Sequence, residues 1–372
     1  MVVIFCSART AVRAEWVRAT EGCDSLPGVR FASELVNEIL DDRVINMKHF
    51  LSTNPASLNG TRSAVRGVKA SNQIGWFVVA VFGWVLPLAV VANDKSAPPE
   101  SGPGTAQSPP DKSRYNLFNP TPTTSLREMS TDRPDKTEGP YTVDAGHFQV
   151  EMDLVNYTRD RTHASGEDWT TDSFAVGGVN FRVGLLDRLE FDVVLETYNW
   201  VRTIDRVNHT VTHQSGFGDV TTRLKFNCWG NDGGSTALAL LPFVKSPTSQ
   251  DNLGNDAVEG GFIIPVAVEL PGGWGLGLMT RFDFMQDADG AGYHPEFVNS
   301  ITLSHDIIGR LSGYAEFFSQ VSTDRGSPWI GTADLGLTYG LTANLQLDAG
   351  VNIGVTRSAD DVNPFVGISF RF

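Results

Sequence analysis

Charged side chains recur at every second position along several stretches of this chain, and that spacing limits the chemistry they can do. Glu190, Asp192 and Glu196 alternate with Leu189, Phe191, Val193 and Leu195. Asp219, Arg223 and Lys225 are spaced among Val220, Leu224, Phe226 and Cys228, and Glu151 and Asp153 among Val150, Met152 and Leu154. Arg281, Asp283, Glu316, Asp334, Asp348 and Arg371 sit in runs of the same kind. In extended backbone successive side chains point to opposite faces, so each run has one charged face and one apolar face. Charges gathered on the inner face of a closed sheet either line a water-filled lumen and set its selectivity, or pair across it and fill it. The spacing leaves both readings open.

Other constellations argue against catalysis and metal binding. His305 shares a face with Leu303, and Ser319 shares one with Phe317, so the two could form an outward Ser–His pair. At about 3.3 Å per residue they lie roughly 25 Å apart, whereas nucleophile and base must be within hydrogen-bond reach. His305 therefore reads as an interfacial residue, and the chain is not expected to be an enzyme. The acidic stretches 251–256 and 287–290 lack the twelve-residue spacing of a calcium loop and read as solvated turns. Gly272-Gly273-Trp274-Gly275 enters a strand rather than a helix, which disfavours a phosphate loop. Cys6, Cys23 and Cys228 form no zinc pattern with histidine. No metal or cofactor is expected. Asp132, Arg133 and Asp135 stand apart, in a short polar segment ahead of the first strand. Arg133 could dock into an acidic interior, with residues 130–142 as a plug. The blander reading, slightly preferred, is a solvated turn shaped by Pro134.

The elements that must position these residues are strands. From residue 143 onward, alternating stretches of about ten residues are separated by Gly, Asn, Asp and Pro. The pattern predicts twelve strands, near 146–158, 171–183, 188–200, 217–228, 235–247, 258–269, 274–286, 295–305, 310–322, 328–340, 343–356 and 362–372. The second and fifth have ambiguous parity. Short connections alternate with longer polar ones, which include 159–170 and 202–215. An even strand number with tight turns at one end is the layout of a transmembrane barrel. Aromatic residues gather at strand ends: Tyr157, Trp200 and Trp329 on the loop side, Trp229, Trp274 and Tyr339 on the turn side. In hydrocarbon an unpaired backbone amide or carbonyl costs several kcal/mol, so first and last strands must pair. The fold class is accordingly all-β, an antiparallel up-and-down barrel of about twelve strands, with apolar faces toward lipid and charges inward. A soluble β-sandwich is the weaker alternative.

The front of the chain looks different. Residues 74–91 form an uncharged apolar run, with Arg62, Arg66 and Lys69 before it and Val90-Val91-Ala92 at its end. Basic flank, apolar stretch and small residues read as a secretory signal, with cleavage after Ala92, and an inner-membrane anchor is the alternative. Met47 is a more natural start than Met1, so residues 1–46 read as an over-extended gene start. Residues 93–127 are rich in proline and small polar residues and read as a disordered spacer. The expected domains are therefore 1–92, 93–142 and 143–372. The 372-residue chain has a net charge of −14 and no dense Lys/Arg run in its second half, which disfavours nucleic acid as a partner.

Thr131-Asp132-Arg133-Pro134-Asp135-Lys136-Thr137-Glu138-Gly139-Pro140, followed by Tyr141-Thr142-Val143 and Gly146-His147-Phe148-Gln149-Val150-Glu151, resembles a known family. It is that of the outer-membrane transporters named for the meta-pathway of phenol degradation, over residues 130–372. The chain's end, Ile368-Ser369-Phe370-Arg371-Phe372, resembles the assembly signal of bacterial outer-membrane barrels, with Phe370 and Phe372 as its core. The resemblances imply a bacterial outer-membrane location, contact with membrane lipid and the assembly machinery, and passive passage of small, hydrophobic or aromatic solutes. The alternative is a structural or adhesive barrel with a filled lumen.

Overall fold

The computed structural model describes residues 111–372 except Ser165 and Ala288. The signal segment, the alternative start, Cys6, Cys23 and most of the spacer lie outside the described residues. Fifteen strands follow one another: β1 (Phe148–Ala164), β2 (Glu167–Val176), β3 (Val179–Leu186), β4 (Leu189–Leu195), β5 (Tyr198–Asp205), β6 (Thr210–Gly216), β7 (Val220–Trp229), β8 (Thr236–Ser246), β9 (Glu259–Leu270), β10 (Trp274–Gln286), β11 (Tyr293–Ile308), β12 (Leu311–Ser322), β13 (Ile330–Thr342), β14 (Leu345–Gly354) and β15 (Val362–Arg371). Among the described residues no helix is long and apolar enough to cross a membrane.

Twelve of these close a ring in the order β1, β3, β4, β7, then β8 through β15, and back to β1. Every pairing is antiparallel, and Gln149 opposite Arg371 and Glu151 opposite Ser369 seal the seam. The closure leaves no edge in the wall, as hydrocarbon requires. The remaining strands continue three staves beyond it. β2 prolongs β3, β5 prolongs β4 and β6 prolongs β7, each after an interruption: Gly177-Gly178, Glu196-Thr197 and Phe217-Gly218-Asp219. Above those interruptions β1, β2, β5 and β6 form a four-stranded sheet with β6 at its edge.

Two expectations about the strands need correction. The stretches 159–170 and 202–215 are not loops but mostly strand, in β1, β2, β5 and β6. Their sequences, such as TVTHQSG, carry polar residues at both parities, so no apolar face betrays them. Nor is the interior charged throughout. β8 turns Ala237, Ala239 and Leu241 inward, and the last two form a buried apolar patch inside the barrel with Ile263, Met279 and Val298. The exterior is apolar: Leu224, Leu303, Leu335 and Ile353 are exposed there. Buried polar residues and exposed large apolar ones invert the order of a water-soluble fold. A lipid surround restores the balance.

Candidate functional site: a filled lumen

Each inward position is set by the two-residue period of its strand and by the cross-strand register. In the register Glu190 stands opposite Lys225, and Asp192 opposite Arg223 on β7 and Arg182 on β3. All five side chains point into the barrel. Glu316 and Asp334 stand directly opposite each other on β12 and β13, an arrangement that like charges disfavour. Asp153 and Asp348 flank Gly367 of β15 in the same way. The wall thus holds carboxylates that need cations from elsewhere.

Residues 128–143 supply them. The segment enters at the turn-side end of the barrel and leaves at the same end. Its neck is pinned by Asp144, whose carboxylate accepts from Lys112 Nζ (3.0 Å) and from the Arg127 amide (2.9 Å). Arg127 also pairs with Asp187 and Asp232 in the adjacent turns. The neck backbone passes against β3 at Gly184. A Cβ there would meet the Asp144 carbonyl oxygen, so only glycine fits.

Inside, most polar residues of the segment meet a wall residue. Arg133 donates from NH1 to Asp153 (2.6 Å), from NH2 to Asp348 (2.7 Å), and from its amide to Glu151 (3.0 Å). Its guanidinium lies where a side chain at Gly367 would be, and over the Phe365 ring. The Asp132 carboxylate accepts from Lys225 Nζ (2.7 Å) and lies 3.3 Å from Arg182. Arg182 in turn holds Glu151 (2.6 Å) and Glu190 (2.8 Å). Glu138 pairs with Arg223 at 2.5 Å. Thr137 Oγ1 donates to Glu316 and shares a 2.6 Å contact with Ser300 Oγ. Lys136 bonds Thr332 Oγ1 (2.8 Å) and lies 3.2 Å from Asp334, relieving the Glu316–Asp334 repulsion. Thr332 is near the loop-side start of β13, so the segment reaches nearly through the barrel.

Charges this buried persist only when each finds a partner, because desolvation outweighs an imperfect pairing. The segment and the wall solve that problem together for Asp132, Arg133, Lys136 and Glu138, whereas both carboxylate oxygens of Asp192 are buried without a hydrogen-bond partner. A cavity of about 400 Å³ remains on the turn side, between the segment and the β9–β13 wall. Its lining includes Asp135, Ala267, Gly275, Gly277 and Ser304, mostly small side chains, with Tyr314 beside them.

The other singled-out residues are distributed as follows. Glu196 lies in the interruption between β4 and β5, where its carbonyl accepts from the Gly218 amide and its exposed side chain lies against Gly218. Asp219, in the next interruption, accepts from the amides of Thr248 and Ser249. Asp283 is buried inside and bonded to Arg281 (2.6 Å), which stacks over Phe243. Arg371 bonds Asn344 and the carbonyl of Arg127 at the turn-side rim. Trp229, Trp274 and Tyr339 are exposed near the tight turns; Tyr157, Trp200 and Trp329 lie toward the loops. Phe372 is exposed and stacks on Phe148 and Phe370. His305 stacks on Trp274, while Ser319 accepts from the Trp329 indole; His305 is opposite Gly313 and Ser319 opposite Asn299, so the two are not together. Among the described residues no acidic, histidine and cysteine group could hold a metal ion.

Two sequence readings differ from this geometry. Residues 130–142 are not a solvated turn, because Asp132, Thr137 and Thr142 are enclosed by the wall. Residues 111–127 are not a structureless spacer: Asn116 bridges to Leu186, and Lys112 is buried on Asp144 and Asp232. Ion pairs replace the apolar burial that this stretch lacks. Sequence reasoning missed Arg182, Lys136, Thr137 and Glu138. The density of both signs in DRPDKTE was the available signal.

A family model described as "Putative MetA-pathway of phenol degradation" matches residues 131–372. No curated protein sequence matches the chain. Solved structures of similar shape include an outer membrane channel from Pseudomonas putida F1, at 14% identity and a TM-score of 0.48, covering 65% of this chain and 100% of that one. The NanC porin is 10% identical with a TM-score of 0.37, covering 60% and 98%. The CymD monoaromatic hydrocarbon channel is 9% identical with a TM-score of 0.32, covering 60% and 87%.

Proposed function

We propose that this chain, which belongs to the family described as "Putative MetA-pathway of phenol degradation", is a passive outer-membrane channel for small solutes whose lumen is closed at rest by residues 128–143. The observation that carries the reading is the inserted segment itself. It is bound to the wall by separable polar contacts, not by the chain's own β-pairing, and it leaves a cavity of about 400 Å³ at its side. That volume is in the range of small-molecule sites. The buried patch of Ala239, Leu241, Ile263, Met279 and Val298 gives the β8–β11 side of the lumen an apolar lining. Hydrophobic or aromatic solutes suit such a lining better than ions do, and the family's description points the same way. At rest the charged side holds the segment in place, and solutes pass along the apolar side when the segment is released.

In this reading the tight turns and both chain termini of the barrel face the periplasm, residues 1–92 are a targeting extension, and residues 143–372 are the membrane domain. The exterior touches lipid, and Phe370 and Phe372 serve recognition by the assembly machinery. The runner-up is a structural or adhesive barrel in which the segment never moves, favoured by the ion pairs that tie Asp132, Arg133, Lys136 and Glu138 to the wall. Liposome swelling separates the two. The intact chain and a variant lacking residues 130–142 are reconstituted and challenged with uncharged solutes of graded size. The channel reading expects slow entry of the smallest solutes through the intact chain and faster, less selective entry through the variant. If neither preparation admits solute, the barrel is structural and the channel reading falls.

A further inference from the structure

The sheet that rises beyond the barrel carries an ordered set of side chains on its outer face. That face is continuous with the lipid-exposed surface, since Arg159 of β1 lies opposite Val362, which shares the outward parity of Val366. Its first row is aromatic. Tyr157, Phe174 and Trp200 lie side by side across β1, β2 and β5, with Tyr198 one step nearer the barrel. Amphipathic aromatics in a row mark the level where hydrocarbon gives way to headgroups. The next row, two residues or about 7 Å further out, is Arg159, Asp172, Arg202 and His213. Arg161 and Arg206 lie beyond it.

This face runs against the chain's charge. The protein is strongly acidic, yet four guanidiniums gather here, outward, at headgroup height. Arg161 pairs with Asp361 (2.7 Å) and Arg206 with Asp168 (3.2 Å). Arg159 and Arg202 share one carboxylate between them. Asp172 is 3.8 Å from Arg159 and already accepts from the Tyr157 hydroxyl at 2.6 Å. Arg202 has no ion pair among the described residues, and its Nε and that of Arg159 are buried without a hydrogen-bond acceptor, which leaves the terminal guanidinium nitrogens as the donors open to a ligand. Two guanidiniums about 10 Å apart, two strands from one another, therefore hold unspent donors. The guanidinium fork matches phosphate oxygens, and such charge-assisted bonds are strongest where water is scarce.

We propose that the outer face of the β1–β2–β5–β6 sheet binds the phosphate groups of an anionic, phosphorylated lipid of the surrounding leaflet, with Arg159 and Arg202 as the phosphate ligands. The aromatic row beneath them packs on the lipid's upper acyl chains and sugar. The occupant is a lipid because the cations lie directly above the lipid-facing belt and share its outward direction. The site is independent of whether the lumen conducts.

The test uses the intact chain in two kinds of vesicle: phosphatidylcholine alone, and phosphatidylcholine with lipid A, a bisphosphorylated glucosamine lipid. The readouts are lipid A retained after gel filtration in detergent and the temperature at which the folded gel band converts to the unfolded one. The double variant Arg159→Gln/Arg202→Gln is expected to retain at least tenfold less lipid A. It should also lose the thermal protection that lipid A gives, while melting normally in phosphatidylcholine. Arg310→Gln, which removes a charge near a tight turn, is expected to retain lipid as the unaltered protein does. Equal lipid A retention by the double variant would overturn the proposal. So would equal protection by inorganic phosphate without lipid, which would make the face a general anion site. Solute entry is unaffected in either case, so failure here is distinguishable from failure of the channel reading.

Discussion

Replacing Arg133 by alanine isolates the strongest link between the inserted segment and the wall. Its guanidinium spans Asp153 and Asp348, and the Asp348 side chain is wholly buried. Removing one partner of a buried pair costs about 3–5 kcal/mol, because the carboxylates left behind stay desolvated and uncompensated. At about 1.4 kcal/mol per factor of ten, the docked-to-released ratio falls by roughly 10²-fold to a few thousandfold. Single-channel recording in planar bilayers reads that ratio as the fraction of time open. A segment released rarely in the unaltered protein should be released for a visible fraction of the record in Arg133→Ala. A second change tests the cause. In Arg133→Ala/Asp153→Asn/Asp348→Asn no unpaired charge remains, so the triple variant should gate more like the unaltered protein than the single one does. If Arg133→Ala folds as a heat-modifiable barrel and its record matches that of the unaltered chain, then either the segment does not close the lumen or these ion pairs do not hold it.

Two further outcomes follow from the same geometry. A side chain at Gly277 would project into the cavity, with its Cβ 3.3 Å from Thr137 Cγ2. Gly277→Phe should therefore slow the entry of small uncharged solutes severalfold, at a stability cost of about 1–3 kcal/mol; unchanged entry would place the route elsewhere. At the neck, burial disfavours the Asp232 carboxylate, but hydrogen bonds from Arg127 and Lys112 outweigh it and hold its pKa below the ordinary value. A depressed acid contributes stability above its unfolded pKa and loses it as pH falls through the folded one. Pepsin cleavage within residues 111–127 should then rise as pH falls below about 4, after correction for pepsin's own activity, and a flat profile would remove Asp232 from the neck.

How much of this was readable depends on which solvent each face meets. β14 was legible because lipid lies on one side and an enclosed polar interior on the other, so Leu347, Val351 and Ile353 alternate cleanly with Gln346, Asp348 and Asn352. β8 was ambiguous because its inward Ala237, Ala239 and Leu241 are as apolar as its outward Leu238 and Leu240. β6 and the outer parts of β2 and β5 were hidden for the opposite reason: beyond the membrane both faces tolerate polar residues. The closed topology followed from the cost of unpaired backbone in hydrocarbon, and needed no side-chain detail. The seat of the inserted segment could not be read in the same way. Arg133 and Asp348 are 215 positions apart, and nothing local in either sequence names the other. Glycine 367 is the plainest instance: in the sequence it is a gap in a strand, and in the fold it is the space that Arg133 fills.

The most direct measurement pins the segment in place. Thr137 Oγ1 and Ser300 Oγ lie 2.6 Å apart, so Thr137→Cys/Ser300→Cys, made in a Cys228→Ala background, should form a cross-link on oxidation. The account predicts that the oxidised protein stays closed in planar bilayers and excludes solutes from liposomes, and that reductant restores both activities. Failure of the cross-link to form in the folded barrel, or equal conduction by oxidised and reduced protein, would contradict it.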